Sequence, residues 1–183
     1  RMAAYGVSVE TEAEALTAMA RPGVASVQVV LNAFRRKPLE RVLPTAVAAG
    51  VGIIARVPLA SGLLTGRFDA TTTFAADDHR LYNRTGAFFD VGETFAGVPY
   101  DVGVVAAQEV ARFTPAGATT AQLALRWIID QPGVTTVIPG ASRPEQARAN
   151  AMAAALAPLD AETLEGLRGV YDEHLRVHVH DRW

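Results

Sequence analysis

Gly52-Ile53-Ile54-Ala55-Arg56-Val57-Pro58-Leu59-Ala60-Ser61-Gly62-Leu63-Leu64-Thr65-Gly66-Arg67 is an apolar run that breaks into a glycine-containing turn. A second stretch, Val134-Thr135-Thr136-Val137-Ile138-Pro139-Gly140-Ala141-Ser142-Arg143-Pro144-Glu145-Gln146-Ala147-Arg148-Ala149-Asn150, repeats the pattern. Each predicts a buried strand whose C-terminal end opens into a loop able to expose backbone N–H groups. In parallel α/β proteins ligands bind at that end of the strand. The pair predicts a site for a phosphate-bearing cofactor.

Working outward, strands and helices alternate. Tyr5 to Val9 is a strand candidate. Thr11 and Glu14 make a capping box for a helix through Ala20, stopped by Pro22-Gly23. Val24 to Leu31 is rich in β-branched residues, as a buried strand requires. Pro38 to Ala49 is helical, with Pro44 marking a kink or a late start. Val51 to Val57 is the third strand. Residues 68 to 103 predict a long irregular loop, rich in Asp, Gly and aromatics, beyond the about 2–6 residues of ordinary βα connections. Helices follow over Val104 to Phe113 and Ala121 to Asp130, then a strand over Thr135 to Ile138. A helix from Pro144 and a last one from Asp160 to Tyr171 close the chain. This order predicts parallel βα units in one domain, 1–183. Four such strands stand alone in a flavodoxin-like sheet or form half of an eight-stranded barrel.

Composition narrows the classes. Half of the 183 residues are hydrophobic and the net charge is −2, which argues against nucleic-acid and anionic-membrane partners. The absence of cysteine excludes disulfides, thiolate catalysis and cysteine-held zinc. No run approaches the roughly 20 apolar residues of a membrane span. Residues 1 to 6 do not resemble a signal peptide, and a cytoplasmic location is expected; the chain starts at Arg1 without an initiator Met and enters a strand almost at once, so a processed or truncated start is expected.

The polar residues divide into several groups. Ser142 and Glu145 predict a capping box with Pro144 just inside the helix, and Arg143 and Gln146 in the same first turn would meet an anion. Arg56, charged at the end of an apolar strand, needs a partner or a ligand. Ser8 and Gln28 are small polar groups near strand ends. Asp77-Asp78-His79-Arg80 reads as a solvated loop with Arg80 free to fold over a ligand. His174, His178 and His180 read as a solvated tail. No metal-ligand set is expected.

In these motifs, and in Gly6-Val7-Ser8, Val27-Gln28 with Asn32, and Leu123-Ala124-Leu125-Arg126-Trp127, the chain resembles the C-terminal half of the aldo-keto reductase family. The resemblance implies strands five to eight of a (β/α)8 TIM barrel that binds NADP(H). It places Ser8 and Gln28 on the nicotinamide carboxamide. Arg56 stands where the family often has a stacked aromatic ring. Pro58, Leu59, Ala60 and Ser61 would line the pyrophosphate, with Arg67 and Arg80 over it. Gly140, Ser142, Gln146 and Arg143 would hold the adenosine phosphate, and Asn150 would reach the adenine. Val9 and Ala149 depart from frequent polar residues of the family. The 68–103 loop would cover the cofactor mouth. The family's proton-transfer Asp, Tyr, Lys and His belong to the first four strands, so no catalytic residue is assigned here. The implied activity is reduction of aldehydes or ketones, or oxidation of alcohols or sugars. The competing expectations are a non-catalytic nucleotide-binding module or inactive remnant and an unrelated flavodoxin-like domain. A half-barrel would also expose two strand edges and an apolar interior, and self-association is expected.

Overall fold

Short runs rich in β-branched and small residues form four strands, β1 (Tyr5–Ser8), β2 (Val24–Val30), β3 (Gly52–Arg56) and β4 (Val134–Val137), in a computed structural model that describes residues 2–183. They make one parallel sheet in chain order, β1-β2-β3-β4. Parallel neighbours need crossovers. Helix α1 (Glu12–Met19) joins β1 to β2, α2 (Val42–Ala49) joins β2 to β3, and a long connection joins β3 to β4. That connection carries α3 (His79–Tyr82), α4 (Tyr100–Ala111) and α5 (Thr120–Ile129). Helices α6 (Pro144–Ala151), α7 (Ala161–Val170) and α8 (Arg176–Val179) follow β4.

Local chemistry sets the helix ends. Thr11 and Glu14 form the expected reciprocal box at α1, and Thr119 with Gln122 forms another at α5. The expected helix 38–49 is divided: a 3-10 turn over Lys37–Leu39 precedes α2, and Pro44 is the third residue of α2. A missing N–H costs nothing there, because the first turn has no intrahelical acceptor for it.

The sheet has two unlike faces. Val27, Val29, Ile53 and Ala55 are buried in one apolar cluster with Ala15, Val42, Leu123 and Ile128 of the helices. Ser8 is exposed on the opposite face, where Ser26, Gln28 and Ile54 are half-buried. This face is mostly polar rather than the apolar interior expected from the sequence, because β1 and β2 alternate small polar with apolar residues. Ser8 lies in register beside Gln28, and Gln28 beside Ile54. Among the described residues β1 pairs only with β2 and β4 only with β3, so both edges are open.

Two expectations are corrected. The 68–103 stretch is not wholly irregular: it contains α3 and 3-10 turns at Val91–Glu93 and Phe95–Gly97, and α4 begins at Tyr100. Phe68, Phe74, Phe95 and Tyr100 pack ring to ring at 5.1–5.9 Å and give it a small core of its own. The C-terminal histidines are not a solvated tail. A π-helical turn, Tyr171–Leu175, carries α7 into α8, and Leu167, Tyr171, Leu175 and Val179 are buried at four-residue intervals. His180 is 6 % exposed, with Nδ1 2.8 Å from the Tyr171 hydroxyl.

Candidate functional site

The C-terminal end of β3 runs into a turn held in an uncommon conformation. Val57, Ala60, Ser61 and Gly62 all have positive φ, at 52°, 47°, 53° and 104°. For β-branched Val57 this is a real outlier, and each non-glycine case costs about 1–3 kcal/mol. Buried Asn32, after β2, holds the turn: its Nδ2 donates to the Val57 carbonyl (2.9 Å) and its Oδ1 accepts from Phe34 N (2.8 Å). Ser61 ties the turn to the long connection. Its Oγ donates to the Glu93 carbonyl at 3.1 Å and accepts from Phe95 N at 3.0 Å.

Two adjoining cavities open between this turn and the loop after β4. One, of about 500 Å³, is lined by Pro58, Ser61, Gly62, Arg80, Ser142 and others. The second, of about 400 Å³, is lined among others by Arg67, Thr114, Thr120, Ala149 and Asn150. Leu59, Thr65, Gly140 and Gln146 border both. Each lies within the size range of small-molecule sites. At Gly140 a Cβ would meet no protein atom within 4 Å, so this backbone is bare toward its surroundings.

Of the residues expected from the sequence, Pro58, Leu59, Ser61, Arg67, Arg80, Gly140, Ser142, Gln146 and Asn150 converge on this cleft. Ala60 is fully buried beneath it. Arg143 is exposed and lines neither cavity. Ser8 and Gln28 stand side by side on the open sheet face, outside the cleft lining. The Ser142–Glu145 capping box does not form. Ser142 N and Oγ instead both donate to Gln146 Oε1, at 2.8 and 3.0 Å, and Arg143 is the N-cap of the helix, which starts at Pro144 as expected. Gln146 thus buttresses the loop rather than leaving its carbonyl to a ligand. Asn150 Nδ2 donates to the Gly140 carbonyl at 3.3 Å.

Arg56 finds protein partners. It is 8 % exposed and bonds Glu93, Glu10 Oε1 (2.7 Å) and the Val9 carbonyl (2.9 Å). Buried Arg35 donates to the Glu10 carbonyl at 2.8 Å, and its guanidinium lies 3.9 Å over the Trp183 ring. Burial brings the Arg35 guanidinium down to about 10. Glu93, which lines the larger cavity, escaped the sequence reading, and His79, read there as part of a solvated loop, lines the same cavity. The need of Arg56 for a counter-charge was the one signal pointing toward Glu93. Arg80 is not free. Asp78 grips it through both carboxylate oxygens, and Arg80 brings the Asp78 carboxyl down to about 2.

Among the described residues, no tyrosine or lysine lines either cavity. The Tyr100 hydroxyl donates to the Asp69 carbonyl, Tyr171 meets His180, and Lys37, the single lysine, lies 3.7 Å from Glu40. Among the described residues, one group has metal-ligand spacing: Glu109, Glu173 and His174, which line neither cavity.

The model of the Aldo/keto reductase family matches residues 1–172. The chain belongs to the aldo/keto reductase family. It is 31 % identical over 134 residues to a probable voltage-gated potassium channel subunit beta of Arabidopsis thaliana, covering 70 % of this chain and 38 % of that protein. It is 29 % identical over 151 residues to the aldo-keto reductase YhdN of Bacillus subtilis, 81 % of this chain and 43 % of that one. Among solved structures, a glycerol dehydrogenase from Gluconobacter oxydans superimposes with a TM-score of 0.70 at 25 % identity, over 98 % of this chain and 51 % of that one. The holo form of an aldo-keto reductase from Bacillus halodurans gives 0.66 at 23 % identity, over 93 % and 52 %, a likeness of fold. The chain therefore spans about half the length of these structures and less than half of the curated relatives. Family membership overturns the flavodoxin-like alternative: the four parallel strands match part of a (β/α)8 barrel.

Proposed function

We propose that this aldo/keto reductase chain is the NADP(H)-binding half of an oxidoreductase, supplying strands five to eight of the barrel. The observation that carries this reading is the convergence of Arg67, Arg80, Ser142 and bare Gly140 on one cleft at the C-terminal ends of β3 and β4. The residues fit a dinucleotide. The smaller cavity, bordered by Asn150, Ala149 and Thr120, would take the adenosine, and the larger one the pyrophosphate against Pro58, Leu59 and Ser61. Ala60 would shape the turn from beneath. Arg143, exposed at the start of α6, would approach an adenosine phosphate from the rim. Ser8 and Gln28, on the neighbouring strands, would hold the carboxamide. Arg56 would hold the base of the nicotinamide site through its carboxylate partners Glu10 and Glu93 rather than stack as an aromatic ring does. When bound, the cofactor supplies a hydride for a carbonyl carbon.

The substrate would be a small aldehyde, ketone or sugar. Phe88 and Phe89, 73 % and 40 % exposed, would wall its pocket from the long connection. Proton transfer would come from the barrel half with which this sheet completes its closure, in a cytoplasmic protein, so the chain alone would bind but not turn over. A second reading, a nucleotide-binding module without catalysis, is favoured by the absence of tyrosine and lysine from the cavity walls.

Titration of the chain with NADPH, NADH and FMN, followed by nicotinamide or flavin fluorescence, tests the proposal. Saturable NADPH binding, weaker NADH binding and no FMN binding are expected. Absence of binding to either nicotinamide nucleotide overturns it. In a complete barrel, NADPH oxidation with an aldehyde separates the enzyme from the binding module, and Phe88→Ala with Phe89→Ala is expected to shift aldehyde preference there.

A further inference from the structure

Arg80 reaches the cleft from α3, on a flexible stem that ordinarily costs rotamer entropy when it must be held in one place. Here it is held on three sides. Its Nε donates to Asp78 Oδ1 at 2.9 Å and Oδ2 at 3.1 Å, and its Nη2 to Oδ2 at 2.5 Å. The guanidinium carbon lies 4.7 Å over the Phe74 ring and 5.6 Å over Phe68. The remaining nitrogen, Nη1, faces the Gly62 turn: a Cβ on Gly62 would stand 3.7 Å from it. Arg80 and Gly62 line the larger cavity, whereas Asp78 does not. The carboxylate therefore grips the fork from behind and leaves its far edge toward the space a phosphate would fill.

We propose that Asp78 is the positioning residue of the anion site, fixing Arg80 so that Nη1 is presented to a ligand phosphate. The inference rests on reading the cleft as a nucleotide site. A two-point, charge-assisted grip fixes direction as well as position, which a single bond to a neutral group does not. Pre-ordering Arg80 removes an entropic cost that binding would otherwise meet. The other charged group of this wall, Glu93, is engaged with Arg56, and His79 Nδ1 lies 3.4 Å from Thr94 Oγ1. Neither competes for Arg80. Asp78 also caps α3 by accepting from Arg80 N at 2.9 Å, a role an asparagine keeps.

The test is the affinity of the chain for NADPH in Asp78→Asn, Arg80→Met and the double variant, with ¹⁵N NMR of the Arg80 Nε resonance during a parallel titration with inorganic pyrophosphate. D78N is expected to weaken NADPH binding about fivefold, and to do so no further in the R80M background, the coupling expected of groups in direct contact. A merely structural role would weaken binding equally in both backgrounds. Equal affinities of D78N and the parent overturn the proposal, and tighter binding by D78N would make Asp78 a competitor of the ligand instead. If NADPH does not bind while pyrophosphate still shifts Arg80 Nε in the parent but not in D78N, the cofactor reading falls and the role of Asp78 stands. If neither ligand has any effect, both fall.

Discussion

Gly140 and Gly62 sit in the same cleft wall for opposite reasons. At Gly62, φ is +104° and a Cβ would lie 2.8 Å from the Phe68 ring, so Gly62→Ala is expected to cost about 2 kcal/mol in denaturant unfolding. At Gly140 nothing stands in the way of a side chain. Gly140→Val should leave the melting temperature within a degree or so of the parent while weakening NADPH binding by about tenfold, since it fills ligand space and not protein space. Asn32 works through the backbone: Asn32→Ala strands the Val57 carbonyl and Phe34 N–H, and a loss of about 2 kcal/mol with weakened nucleotide binding is expected. Burial pushes the Tyr171 phenol up to about 12, so the folded state keeps it neutral after an unfolded chain begins to ionise it. Its contribution to stability is complete below about pH 10 and is lost as pH rises toward about 12. Tyr171→Phe should flatten that part of a stability–pH curve, and an unchanged slope would rule out this origin. Glycine 62 was legible as a turn residue because its neighbours Pro58 and Gly66 mark a loop. The clamp by Asn32 was not, because a buried amide in a sequence does not announce its acceptor.

The elements around the cleft depend on ties across long stretches of chain. Arg56 bonds Glu93 and Glu10, which lie 37 and 46 residues away. Removing the cation leaves two partly buried carboxylates facing each other. Arg56→Met is thus expected to destabilise by about 2 kcal/mol, discounted from a fully buried case because both acids reach solvent. Ser61→Ala releases both hydrogen bonds to the 93–95 segment. Hydrogen exchange should accelerate at Phe95 and its neighbours while β2 and β3 keep their protection. Equal acceleration throughout would mean that the segment is not a separate unit. The aromatic richness of residues 68–103 was visible in the sequence, yet its order was not. Loop composition and a small packed core differ only in whether the rings find one another, and that contact joins Phe68 to Tyr100 across the whole segment.

At the scale of the whole molecule, the sheet has one covered face, one open face and two open edges. Unpaired strand edges are templates for association. Sedimentation velocity of the isolated chain is expected to show mass rising with concentration, and a single 19.4 kDa species throughout a wide range would contradict this. Co-expression with a complementary four-strand half should suppress the association and raise the thermal midpoint, since it pairs the same edges.

Strand–helix alternation, the capping box of α1, the glycine turns and the two cleft-forming loops could all be read from the chain. Each signal lies within a dozen or so residues and is written in side-chain size, branching and hydrogen-bonding capacity. Nothing local told which of 19 acidic side chains would meet Arg56, that Asp78 would grip Arg80, or that His180 would be buried beside Tyr171. Acidic groups are interchangeable until packing brings one within reach of a cation and strips both of water. The same holds for the Ser142 cap, where Gln146 competed for the hydroxyl and won once the loop closed. The strands and their turns were therefore decided locally, and the charges that organise the cleft were decided by which distant groups the folded chain desolvates together.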